Sequence, residues 1–386
     1  MLIEISNTPR DYAWGSSTLI AGLEGRTPSG SPEAEVWFGD HPGSPALVHD
    51  GSDRTLDAWL GAHADDSGVP ARLPYLLKLL AAGGPLSIQV HPSKDQAARG
   101  FAREEAAGVP RDAGHRNYKD DNHKPEVIVA LSDTFTALAG LRDIEATRRL
   151  IAALGTGEGV RTLGGLLDAD DPAAALRAAI AWVLDEADAA SIEQIVGAAA
   201  SARSEEFAGE LRLTRTLEAA YPGDPGIVVA LLMNLVELRR GEAIFVPAGV
   251  LHAYVAGLGV EIMAASDNVL RGGLTTKHID VPELLALVDF RPAAPPVLAP
   301  RRGEAGAELF APGIPDFSLA HVPGDAAGAV ELAGVSIALA VAGEAVVTGA
   351  SGTSIALTPG RAAVITPDES PLSVEGGELF VAMPGE

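Results

Sequence analysis

Gly241-Glu242-Ala243-Ile244-Phe245-Val246-Pro247-Ala248-Gly249-Val250-Leu251-His252 is the stretch on which the reading of this chain turns. The apolar run Ala243 to Val246 has the length of a strand. Pro247 cannot donate to a sheet ladder and Gly249 tolerates the backbone of a tight turn, so the run should end there. The chain then returns as a second strand that carries His252 inward. Just upstream, Asp224-Pro225 combines a capping side chain with proline at a first helical position. Ile227, Val228, Leu231, Leu232 and Leu235 follow it and predict one helix that stops near Gly241.

Moving outward, the chain has three textures. From the N-terminus to residue 141, glycine and proline alternate with short apolar runs such as Ala34 to Phe38, Leu86 to Val90 and Val127 to Leu131, which read as strands. Leu73 to Leu80 fits a strand or a helix equally. From 142 to 222 the apolar spacing becomes helical, with Asp143 and Asp171-Pro172 as start signals. Arg291-Pro292-Ala293-Ala294-Pro295-Pro296 reads as a linker. Beyond it Val335 to Val341, Ala345 to Val347, Ser354 to Leu357, Ala362 to Ile365 and Leu379 to Met383 are short apolar runs of an all-β region. The expected fold class is mainly β with a helical insertion.

Composition narrows the function. The 386 residues carry 28 Lys plus Arg against 52 Asp plus Glu, a net charge of -24. That balance opposes binding to nucleic acid or to anionic lipid. A few clustered cations still suffice to bind one small anion. The chain has no cysteine, so disulfides, thiolate metal sites and cysteine nucleophiles are excluded. The most apolar stretch, Ile227 to Leu235, is far short of the roughly 20 residues that span a bilayer. With no secretory signal read at the N-terminus, a cytoplasmic protein without membrane attachment is expected.

Four segments carry side chains suited to chemistry. In Pro85-Leu86-Ser87-Ile88-Gln89-Val90-His91-Pro92, the strand period of two puts Ser87, Gln89 and His91 on one face. In Tyr118-Lys119-Asp120-Asp121-Asn122-His123-Lys124-Pro125-Glu126, charges crowd the edge of an apolar run, and Lys124 and Glu126 share a side of an extended chain. Together with His252 these supply Gln89, His91, Glu126 and His252, two imidazoles and two oxygen donors. Zn²⁺ accepts such ligands, and Fe²⁺ or Mn²⁺ would fit too. With Glu126 the only anionic ligand, the bound metal keeps a positive excess that suits an oxyanion formed in a reaction. The fourth segment, Glu261 to Thr275, places Asp267 and Arg271 ahead of Gly272-Gly273, where backbone can come close to a ligand. Taken alone, it reads equally as a surface salt bridge.

The opening stretch fits G-x5-P-x-G-x2-H, the second conserved box of cupins. Leu86 to Pro92, Asn122 to Glu126, Val246 to His252 and Ser266 to Thr275 together resemble type I mannose-6-phosphate isomerases. Tyr12-Ala13-Trp14-Gly15 and Glu35 to Pro42 resemble the same family's N-terminal motifs. The resemblance implies a cupin jelly-roll barrel with the metal site over 1–141 and 223–290, and a helical domain over 142–222. Over 291–386 it implies a smaller cupin-like β domain without metal. It implies one Zn²⁺ per chain on Gln89, His91, Glu126 and His252, Arg271 as a catalytic arginine, and His123 and Asp267 as candidates for proton transfer. Ser87, Lys78 and Lys124 fall on positions that contact a sugar phosphate.

The implied reaction is aldose-ketose isomerisation of mannose 6-phosphate and fructose 6-phosphate through an enediol or enediolate, by a monomer whose partner is its small substrate. A cupin oxygenase or a non-catalytic sugar-binding cupin would share the barrel. The first would leave the lysines unexplained, and the second would lack turnover.

Overall fold

The structure is a computed structural model that describes residues 1–64, 68–303, 306–324 and 327–385. Its spine is the 13-residue strand His252–Ala264, long enough to serve two sets of antiparallel partners. The first half pairs His252 with Gln89 and runs along Thr134–Leu141. The second half lies between Tyr75–Ala82 and Glu126–Ala130. Between the halves the register slips from Tyr254 to Ala256, one extra residue that bends the strand and inverts its inside and outside. Gly257 sits at the bend with φ 124°, and a Cβ there would come within 2.8 Å of the Phe135 ring. Glu35–Phe38, Ile88–Val90, Met233–Arg239, Ala243–Val246 and Leu270–Gly273 complete this nine-stranded sheet.

Each half of the spine has its own backing. Behind the first half, Ile88, Val90, Leu251, Ala253 and Leu270 share one apolar cluster with the helices between Ile144 and Ala220. Asp143 and Asp171 cap two of those helices through the amides of Ala146 and Ala173. Behind the second half, Leu77, Leu79, Val127, Val129, Val260 and Ile262 pack on Ile337, Leu339, Val364 and Phe380 of a second, ten-stranded antiparallel sheet. The buried Tyr75 hydroxyl lies within hydrogen-bond distance of the Val335 and Ala382 carbonyls, 2.9 and 3.1 Å, and ties the two sheets.

Several sequence expectations change. The helix after Asp224-Pro225 ends early, spanning only Gly226–Leu231, and Met233–Arg239 is a strand. Val236 and Leu238 are buried while Glu237 and Arg239 are exposed, so pairing with Thr134–Leu141 imposed a period of two on residues read with a helical period. The ambiguous run near Leu73 is the strand Tyr75–Ala82, buried on both faces. Val335 to Val341 and Ala345 to Val347 are not separate strands: Ser336–Thr348 is continuous, with register irregularities near Ala342.

The proline-rich stretch is not a free linker. Phe245 N–H donates to the Pro296 carbonyl and Leu298 N–H to that of Ala243, at 2.9 Å each, so it lies along the edge of Ala243–Val246. The N-terminal strand Leu2–Ser6 hydrogen-bonds to Ala362–Ile365, inside the C-terminal sheet and apart from the rest of 1–141.

Candidate metal centre

Antiparallel pairing sets His252, Gln89 and Arg271 in one row across three strands, since His252 lies opposite Gln89 and Gln89 opposite Arg271. Residues directly opposite share a face. His91 follows two residues after Gln89, and Glu126 opens its own strand opposite both Val246 and Met263. His91, Glu126 and His252 are all buried, and their ligating atoms lie within 4.8 Å of one another. Glu126 Oε1 is 3.2 Å from His91 Nε2, and Oε2 is 3.4 Å from His252 Nε2.

Both imidazoles are oriented from behind. His91 Nδ1–H donates to the Asn268 carbonyl at 2.7 Å, and His252 Nδ1–H to that of Val250 at 3.1 Å. Each ring is thereby held with Nε2 toward Glu126. His91 Nε2 is buried without a hydrogen-bond partner. Burial, reinforced by the charge of Lys124, pushes His91 down to about 4, so it is neutral at pH 7. Burial opposes ionisation of Glu126, but Lys124 and the two histidines hold its carboxyl well below the usual range. Two imidazoles, one carboxylate and a buried ring nitrogen without a hydrogen-bond partner make a donor set that suits a divalent cation.

The cavity beside this cluster is lined by Lys78, Ser87, Gln89, Lys124, Glu126 and His252, all expected from the sequence. Gln89 donates to Ser87 Oγ at 3.2 Å, and Lys124 Nζ to Glu126 at 2.6 Å. Lys78 Nζ lies between Glu261 at 3.0 Å and Glu35 at 3.4 Å. Burial works against its charge, yet Glu261, Glu35 and Glu126 hold the ammonium well above its ordinary value. Arg271, half-buried, has no carboxylate partner among the described residues, and burial lowers its guanidinium.

Arg271 lies beside Gln89 but is not among the residues lining the cavity, and two further expected residues are paired outside it. His123 Nε2 meets Asp316 of the segment leading into the C-terminal sheet at 2.9 Å, and Asp267 meets His41 at 3.0 Å.

Sequence reasoning passed over Glu35, Tyr254 and Glu261, which line the same cavity. Tyr254 was within reach, because it follows His252 by two residues and its hydroxyl donates to Glu126 at 3.3 Å. Glu261 was hidden by the bulge, which puts an odd-numbered residue on the face of the even-numbered His252 and Tyr254. The cavity wall thus carries three carboxylates and two lysines. It is not the cationic pocket that the lysines alone suggested.

The family described as phosphomannose isomerase type I, catalytic domain, matches residues 2–144. The mannose-6-phosphate isomerase of Escherichia coli (strain K12) is 35% identical over 399 residues, covering 97% of each chain. The chain belongs to the mannose-6-phosphate isomerase family. The human member is 31% identical over 98% of this chain and 92% of its own. Among solved structures of the family, the Salmonella typhimurium enzyme bound to fructose 6-phosphate and zinc superposes with a TM-score of 0.87. It is 33% identical to this chain, and the match covers all of both chains.

Proposed function

We propose that the chain interconverts mannose 6-phosphate and fructose 6-phosphate, with one zinc per chain. The observation that carries this reading is the partnerless, buried Nε2 of His91 beside Glu126 and His252. Gln89, in the same row as His252, is the fourth proposed ligand. When bound, the metal supplies Lewis-acid charge that lowers the cost of an anionic enediolate.

The chain's own residues do the rest. Ser87 and Lys124 bind the phosphate, and Lys78 adds charge from the same wall. Arg271, with no carboxylate to neutralise it, steadies the developing oxyanion or the phosphate through its fork of N–H donors. A side chain must also carry a proton between adjacent carbons. His123 and Asp267 remain candidates, although each has a partner outside the cavity. Glu261 joins them, since it lines the cavity and burial raises its carboxyl above the ordinary value.

The division into a cupin jelly-roll metal barrel, a helical insertion and a metal-free cupin-like domain is supported by the antiparallel pairing and the run of helices. One amendment is needed: the N-terminal strand goes with the C-terminal sheet. A cytoplasmic monomer is part of the same proposal; no helix among the described residues is long and apolar enough to cross a membrane. The test is metal removal. A verified metal-free sample should show no isomerisation in a coupled assay, and added zinc should restore it; full activity without metal would end the proposal.

A further inference from the structure

Beyond its carbonyl behind His91, Asn268 has no role assigned above, yet it is wholly buried and each of its polar groups is engaged. Its backbone carbonyl is the acceptor that orients His91. Its carboxamide oxygen takes the N–H of Lys119 at 2.7 Å and that of Asp120 at 3.3 Å. Its NH2 group faces three oxygens: the Asp120 and Asn122 carbonyls at 2.8 Å each and Asp120 Oδ1 at 3.1 Å. The Asp120 carboxylate in turn receives the Asp267 N–H and the Ser266 hydroxyl, both at 2.8 Å. One short segment therefore grips the 119–122 loop from both sides, and that loop leads within four residues to Lys124 and Glu126.

We propose that Asn268 is a positioning residue that couples zinc binding to the order of the 119–122 loop, an inference that rests on the metal reading above. A carboxamide presents an acceptor and a two-hydrogen donor on one small planar group, and this site uses both ends. The residue that holds the loop also supplies the carbonyl behind His91. Displacing one displaces the other, and the imidazole then loses its fixed orientation. Because coupling is reciprocal, bound zinc tightens the loop as much as the ordered loop tightens zinc.

Asn268→Ala, Asn268→Asp and the wild type, all full-length, are compared for zinc affinity by competition with a chelator, well below their melting temperatures. Both variants should bind zinc about 10- to 100-fold more weakly. Aspartate should not rescue, because its second oxygen would oppose three others. Leu357→Ala, in the C-terminal core away from the site, should lower the melting temperature and leave zinc affinity unchanged.

Hydrogen exchange of the wild type reads the same coupling without any substitution: zinc should slow exchange at the Lys119 and Asp120 amides by about 5-fold or more. Wild-type zinc affinity in a folded Asn268→Ala, or equal exchange with and without zinc, overturns the proposal. If the variants do not fold, the exchange result decides. A wild type that binds no zinc refutes the metal reading itself, a distinct outcome.

Discussion

Lys78 illustrates how a residue legible as a charge acquires a different meaning in its surroundings. From the sequence it counts as one cation available to a phosphate; in the fold it is buried between Glu35 and Glu261 and lies 5.3 Å from the centre of the Trp37 ring. Trp37 itself donates from its indole N–H to Glu35 at 2.9 Å, fixing the carboxylate that holds the lysine. Removing one partner of a buried ion pair leaves an uncompensated charge, typically at a cost of about 3–5 kcal/mol. Lys78→Met should therefore lower the unfolding free energy by about that much, as well as weakening sugar-phosphate binding. Chemical denaturation reads the first effect. Unchanged stability would mean that the lysine is held loosely and belongs to the substrate alone. The proposed metal ligands were easier to pick: Gln89, His91, Glu126 and His252 each sit at a fixed offset from a proline or on a two-residue period, and the fold brings His91, Glu126 and His252 together.

At the scale of the element, the strand is where local reading failed and pairing prevailed. The helical spacing that runs toward Gly241 includes Leu235, although Leu235 lies in a strand opposite Leu138. A comparable long-range contact fastens the loop at Arg240, which pairs with Glu378 of the C-terminal strand Leu372–Met383 and also reaches the Leu131 carbonyl. Glu378 also meets His321 at 3.0 Å, and the other nitrogen of His321 meets Glu308 at 3.1 Å.

Burial opposes ionisation of Glu378, but His321 and Arg240 hold its carboxyl below the ordinary 4.5. Its folded-state value is lowered, so its contribution to stability is present above about 4.5 and is lost as pH falls through the lower folded value. Glu378→Gln should thus lower the melting temperature at pH 7, and the deficit should shrink below pH 4.5. A deficit that stays constant on acidification would show that the carboxylate's charge is not what stabilises this contact.

At the scale of the whole molecule, the nine-stranded sheet has an inner face where the charged and ligating side chains lie beside an apolar cluster that includes Leu80, Ile128 and Phe135, and an outer face that is apolar. The C-terminal sheet covers half of that outer face, and Leu2–Ser6 is woven into it. A chain ending at residue 300 would expose Leu77, Leu79, Val127, Val129, Val260 and Ile262 together, a patch that soluble monomers seldom leave open. It should aggregate, or lose both its sharp thermal transition and its zinc affinity. A soluble truncate with a single sharp transition and full zinc binding would show that the second sheet is dispensable.

The sequence by itself pointed to His91, Glu126 and His252, which the fold gathers into a cluster able to hold a metal, to the helical stretch after Asp143 and to the family, because each is read from motifs a few residues long. Tertiary structure alone decided that Glu35, Lys78 and Glu261 form one charged lattice, that Glu261 faces inward after a bulge, that Met233–Arg239 is a strand, and that the N-terminal strand serves the far sheet. In each of these cases the deciding partner lies tens to hundreds of residues away, and the energy that selects the conformation comes from that partner rather than from the local chain.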